Sequence, residues 1–299
     1  MTFFINCLNL VKNKQFNTNF NLKVAILTKI SDVELKKYHN DGFLEIKNFF
    51  NLIELNKIVK KFKKIYKGEY STNIAPDKRW WAGRNSDKIP RLLANAWKAD
   101  YDIASIVLSK KLGETAALLS GWKSTRINED SLIWVPPKSS GLSYHQDNSY
   151  HNWHDPGGVI TAWIPLINTL SNGATLEYFI GSHKNKIKKM INYKSFKNFE
   201  LDFKNLPKHL VNLNKGSVVF HHGNLWHGSR TNKTNKDRLA LSIHFMNGRS
   251  KFHKTNNNSF YCRYKLIGST KMLENFFPTT WSKNDSDIKF VKKFLNKEK

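Results

Sequence analysis

Two hydrophobic periods divide this chain. Between Asn51 and Tyr66, apolar residues fall at Leu55, Ile58, Val59, Phe62, Ile65 and Tyr66, while Lys57, Lys60, Lys61 and Lys64 lie mostly on the other face. That spacing predicts an amphipathic helix. An earlier helix is predicted to start at Ser31, where Ser31-Asp-Val-Glu34 fits a capping box. Asp41-Gly42 reads as a turn and Phe43–Ile46 as a short strand, and residues 92–120 read as mainly helical. From about Ser131 the period shortens. Leu132–Val135, Leu142–Asp147, Val159–Leu166, Ala174–Phe179, Ser217–His222 and Leu239–Met246 are β-rich runs separated by Gly, Pro, Asn and Ser clusters. Helices followed by many short strands predict a mainly β domain, a sandwich or jelly roll buttressed by N-terminal helices. The expected organisation is an Asn- and Lys-rich extension over 1–26 and one domain over 27–299. That domain has a helical part (27–125), a core of about 130–247 containing a polar insertion at Lys184–Leu210, and a C-terminal extension (248–299).

Composition refines this picture. The 299 residues, 40 % of them hydrophobic, suffice for a sizeable core. No apolar run reaches the ~20 residues that span a bilayer. The opening MTFFINCLNLV lacks a basic leading segment and a small-residue cleavage site, so no signal peptide is expected. Cys7 and Cys262 stand in no ligand-like spacing, and a reducing, cytoplasmic setting is the simplest expectation. The formal charge of +26 raises a nucleic-acid partner. Lysine is spread along the whole chain with Asn, Ile and Phe, and no aromatic-interleaved basic motif occurs, so a compositional bias explains the charge better.

The candidate chemistry begins at Tyr144-His-Gln-Asp147. On a strand, residues i and i+2 share a face, which would set the His145 imidazole beside the Asp147 carboxylate. Two histidines and one carboxylate on one face of an octahedron, with the other positions open, are the ligand set of non-haem iron(II) oxygenases. His227, in Gly223-Asn-Leu-Trp-His-Gly-Ser229, is the candidate third ligand. Arg238 follows 11 residues later, where a guanidinium can pair bidentately with a carboxylate. An HxD pair alone is a weak signal, equally a polar strand end. His221 and His222 read as strand residues, one facing in and one out. His151, Trp153 and His154 read equally as a substrate mouth or an aromatic loop. Gln146 is expected to point away from the metal, His183 to serve a turn or packing, and Arg84 and Arg91 to be surface arginines with a possible anionic substrate as the alternative.

These motifs, with Thr161-Ala-Trp-Ile-Pro-Leu166, Gly173-Ala-Thr-Leu-Glu-Tyr-Phe-Ile-Gly-Ser-His-Lys184 and Gly216 to Ser229, and with Glu34–Phe50 before them, resemble the phytanoyl-CoA dioxygenase family over roughly residues 27–247. The resemblance implies a double-stranded β-helix and an Fe(2+) centre held by His145, Asp147 and His227. It also implies 2-oxoglutarate anchored by Arg238 with Trp163 nearby, and hydroxylation of a small organic substrate by O2 with release of succinate and CO2. Phe179-Ile-Gly181 departs from the family, many of whose members have Pro before that Gly. Asp147 supplies the acid that related halogenases lack, which favours hydroxylation. Two other classes stay open from sequence: a non-catalytic binding protein on the same barrel, and a nucleic-acid-directed oxygenase or binder.

Overall fold

The computed structural model of the chain describes residues 30–80, 88–184, 205–257, 259–284 and 288–296. The 1–26 extension, Arg84 and most of the polar insertion lie outside them. The first helix, α1 (Asp32–Asp41), starts as the sequence predicts: the Ser31 hydroxyl accepts from Glu34 N–H, and Glu34 reaches back to Ser31 N–H. It stops at Gly42, whose φ of 88° favours glycine. Strand β1 (Phe43–Ile46) follows, and then α2 (Leu52–Lys67), capped by Asn51. Leu55, Ile58, Phe62, Ile65 and Tyr66 of α2 are buried, each contributing about 1.5–3 kcal/mol by its removal from water.

The helical reading of 92–120 needs correction at its start. Arg91–Ala94 is strand β3, paired with the two-residue β2 (Lys78–Arg79) and with β4 (Ser124–Val135). A 3-10 turn (Ala96–Lys98), α3 (Tyr101–Val107) and α4 (Lys110–Ser120) complete this stretch. The short apolar run Leu92–Ala94 carries no period long enough to separate strand from helix, and β4 decides by pairing with it.

The β region contains β5 (His154–Asp155), β6 (Val159–Pro165), β7 (Leu176–Phe179), β8 (Lys208–Leu210), β9 (Val218–His222), β10 (His227–Ser229), β11 (Arg238–Asn247), β12 (Lys251–Phe252) and β13 (Thr279–Ser282). The last helix of the described residues is α5 (Lys289–Leu295). The major sheet runs β1-β9-β6-β11-β4-β3-β2, and β13 also pairs with β4. A minor sheet, β10-β7-β8, faces it. Leu176 and Tyr178 of β7 pack with Trp163, Val219 and Ala240 of the major sheet to fill the space between them. On the other side of the major sheet, Leu132, Ile160, Ile164, Phe220, Leu241, Ile243 and Phe245 form one core with α2, α3 and α4. This is a mainly β jelly roll with helices banked against one sheet. Strand alternation gives the sheet two chemically distinct faces, one apolar under the helices and one turned into the barrel.

Candidate metal centre

Register places the inward residues of four adjacent strands side by side. His244 on β11 lies opposite Glu129 on β4 and Thr161 on β6, and Thr161 lies opposite His221 on β9. One step along, Ser242 faces Ser131 and Trp163. At the end of the same face of β11 comes Arg238, opposite Val135. A polar ladder thus crosses the barrel interior.

His145 and Asp147 meet this ladder, but not as the sequence predicts. Among the described residues, Leu142–Asp147 is not a regular strand: His145 makes a single antiparallel bridge with His227, and Asp147 opens a 3-10 turn (Asp147–Ser149). The bridge is a fully hydrogen-bonded pair, His145 N–H to His227 O at 2.8 Å and the reverse at 3.0 Å. It sets the two rings on one side with centroids 4.3 Å apart. Gly228 permits the close approach, since a Cβ there would lie 2.8 Å from the Tyr144 ring. Gln146 is buried rather than outward, and its amide donates to the Asn224 carbonyl at 2.6 Å, tying the turn to the loop before His227.

The hydrogen bonds select the imidazole tautomers. His145 Nδ1 lies 2.7 Å from the Ser143 carbonyl, and His227 Nδ1 lies 2.9 Å from that of Leu225. A carbonyl only accepts, so both Nδ1 atoms carry protons and both neutral rings present an Nε2 lone pair. Those two Nε2 atoms lie 3.3 and 3.6 Å from Asp147 Oδ1. One ligand atom from each of the three residues falls within 4.8 Å of the others, a group that could hold a metal ion. Asp147 Oδ2 is turned away and occupied: the Thr161 hydroxyl donates to it at 2.5 Å and His221 Nε2 lies 3.0 Å away. His221 is itself held at Nδ1 by the Tyr178 hydroxyl, 2.9 Å away.

Burial by itself raises the Asp147 pKa, but the surrounding His227, His244, His145 and His221 outweigh it and hold the carboxyl well below its usual range. Burial pushes His227 well below the usual imidazole range against the pull of Asp147. It lowers His221 likewise. His244 goes the other way, since Asp147 and Glu129 outweigh its desolvation.

Arg238 is 4 % exposed, with Nη2 3.5 Å from Ser229 Oγ, two residues beyond His227. Its Nε and Nη1 have no hydrogen-bond partner among the described residues. Burial lowers its pKa to about 10, which leaves it cationic at neutral pH. Trp163 is buried with its ring centroid 5.8 Å from the Arg238 guanidinium. A cavity of about 450 Å³ opens onto His145 and Asp147 and is walled by Glu129, His151, His244 and Tyr261, with Trp80 and Phe260 at its aromatic side.

The remaining candidates separate. His151 lines this cavity, whereas Trp153 is packed with Phe252, Tyr261 and Phe277, and His154 Nδ1 is held by the Pro156 carbonyl at 2.9 Å. His221 faces in and His222 is half-exposed. His183 packs near His222, its Nε2 3.1 Å from the His39 carbonyl. Arg91 stacks on Trp134 at 4.6 Å, and its neighbour Leu92 faces the cavity. Sequence reasoning passed over Thr161, His244 and Glu129. Counting by twos from Trp163 and Arg238 reaches the first two, but Glu129 precedes the run that the sequence reading took for the strand.

Solved structures share this fold. A non-haem alpha-ketoglutarate-dependent carbocyclase, SnoK from nogalamycin biosynthesis, matches with a TM-score of 0.69 at 20 % identity, over 83 % of this chain and 96 % of its own. EctD from S. alaskensis, solved with 2-oxoglutarate and 5-hydroxyectoine, matches with a TM-score of 0.60 at 17 % identity, over 75 % and 78 %. Residues 38–240 match the phytanoyl-CoA dioxygenase family model, and the chain belongs to that family. Peroxisomal phytanoyl-CoA dioxygenase of Mus musculus is 27 % identical over 231 residues and that of Homo sapiens 26 % over 230, in each case 70 % of this chain. The chain spans 66 % of the length of these relatives.

Proposed function

We propose that this protein is an Fe(II)- and 2-oxoglutarate-dependent dioxygenase that hydroxylates a small organic substrate, with His145, Asp147 and His227 as metal ligands. The observation that carries this reading is the convergence of two Nε2 lone pairs and Asp147 Oδ1, with each Nδ1 fixed by a backbone carbonyl. This donor set of two imidazoles and one carboxylate suits ferrous iron and leaves coordination positions for other ligands. When bound, the iron and 2-oxoglutarate supply the oxidising chemistry that inserts oxygen from O2 into a C–H bond, with succinate and CO2 as co-products.

The chain's own residues supply geometry and charge. Thr161 and His221 hold Asp147 Oδ2, so that Oδ1 faces the histidines. Arg238 is suited to the distal carboxylate of 2-oxoglutarate: an α-helix or sheet does not need a buried cation with two unused N–H groups, and a carboxylate accepts from such a fork. Trp163 packs beside it as a buried apolar neighbour. The family assignment and the solved neighbour that holds 2-oxoglutarate support the same chemistry. The test is succinate release by the protein supplied with Fe(II), 2-oxoglutarate and a panel of candidate metabolites. Turnover undiminished in His145→Ala or Asp147→Ala overturns the assignment.

A further inference from the structure

Glu129 is a carboxylate on the cavity wall that the metal centre does not use. It lies opposite His244, and His244 Nε2 is in turn 3.6 Å from Asp147 Oδ1. The register of β4 slips next to it: His244 pairs with Glu129 and Phe245 with Ile127, so Asn128 is an extra residue. Bulges of this kind re-aim a side chain and occur beside active sites. Ser131 Oγ donates to Glu129 at 3.2 Å, and the Tyr261 phenol lies against the same carboxylate. Among the described residues it has no Lys or Arg ion-pair partner. Next to it, the ring of His151 packs 4.8 Å from that of His244, and its buried Nδ1 has no hydrogen-bond partner among the described residues. A buried ring nitrogen without a partner is a group that a ligand's hydrogen bond would satisfy. Tyr261, Phe260 and His244 lie beyond residue 240, where the match to the family ends. The wall facing the metal ligands is therefore completed by sequence outside the shared part.

Resting on the oxygenase reading, we infer that Glu129, with Tyr261 and His151, is the substrate-orienting end of the cavity. It receives the N–H or O–H group of a compact amine or alcohol whose apolar part lies against Trp80, Leu92 and Phe260. The pull of a donor on Glu129 would hold the remainder of the molecule between the aromatic wall and the metal ligands, which fixes the C–H bond presented to them. Burial raises the Glu129 pKa, so a donor that hydrogen-bonds the carboxylate also relieves its desolvation.

The test uses the full chain and three probes of similar shape: benzylamine, benzyl alcohol and benzyl methyl ether. Binding is read by ligand-observed NMR on the metal-free protein and again with Zn(II) and 2-oxoglutarate. The amine or the alcohol should bind about tenfold or more tightly than the ether, as one hydrogen bond to a carboxylate allows. That preference should vanish in Glu129→Ala, and in Glu129→Gln the amine should lose its advantage. Amine preference would mean an ionised carboxylate in the occupied cavity, alcohol preference a protonated one, and both support the assignment. Equal binding of the ether, no binding of any probe, or a donor preference unchanged in both variants overturns it. Failure of the oxygenase reading shows separately, as Zn(II) and 2-oxoglutarate failing to bind while the donor preference persists.

Discussion

The two faces of the major sheet are built from the same strands and do opposite work. Under the helices, Leu132, Ile160, Phe220, Leu241, Ile243 and Phe245 make an apolar layer. On the barrel side of the same strands stand Glu129, Thr161, His221, His244 and Arg238, each held by a specific partner or facing the cavity. The comparison shows how a buried polar site is tolerated. One face supplies the burial that stabilises the fold, and strand alternation confines the costly polar groups to the other, where they satisfy one another or await a ligand.

The comparison is tested most severely at the inner face. Asp147→Ala should lower succinate production by about a thousandfold or more, as loss of a metal ligand does, while the melting temperature of the metal-free protein stays close to wild type. A collapse of the fold in that variant would show that the inner face is also a stabilising one. The outer face should give the converse. Phe245→Ala, a fully buried ring, should destabilise by about 3–5 kcal/mol in denaturant unfolding and leave iron affinity per folded molecule unchanged. Arg238→Gln should raise the KM for 2-oxoglutarate by about 30-fold or more, since on the proposed reading it removes the charged partner of the co-substrate's carboxylate, with little effect on iron uptake. Thr161→Val tests a single support. Loss of one hydrogen bond to Asp147 Oδ2 should weaken iron binding by about tenfold in a competition titration.

A pH-dependent test concerns Asp130, which neighbours Glu129 but faces the other side. It accepts from the backbone N–H groups of Ala96 and Trp97, and burial raises its pKa to about 8 from 3.8. Between those values the folded chain holds a proton that the unfolded chain has released. Stability therefore falls as pH climbs through that window and levels off above it. Thermal melts from pH 5 to 9 should show this decline in the wild type and a flatter profile in Asp130→Asn.

Much of this architecture is readable in the residues. Helix α2 follows from its period, and the start of α1 from its capping box, because both signals are local. Strands β6, β9 and β11 follow from runs too β-rich and too well punctuated to be helices. The sequence nominates His145, Asp147 and His227, but its local picture differs from the structure: a strand would set His145 and Asp147 side by side, whereas the bridge to His227 brings the two histidines together and a 3-10 turn presents the carboxylate. Strand β3 was missed because Arg91–Ala94 has no period of its own, and only the pairing with β4 makes it a strand.

By itself, then, the sequence determined the class of fold, the candidate ligands and the arginine behind them, since periodicity, capping and ordered motifs act over a few residues. Tertiary structure alone decided which nitrogen of each histidine is free, which oxygen of Asp147 is already occupied, and that Glu129 and Tyr261 meet across the cavity. Those outcomes depend on register and on hydrogen bonds between strands far apart in the chain, and no local pattern encodes which inward side chains end up at the same level of a barrel.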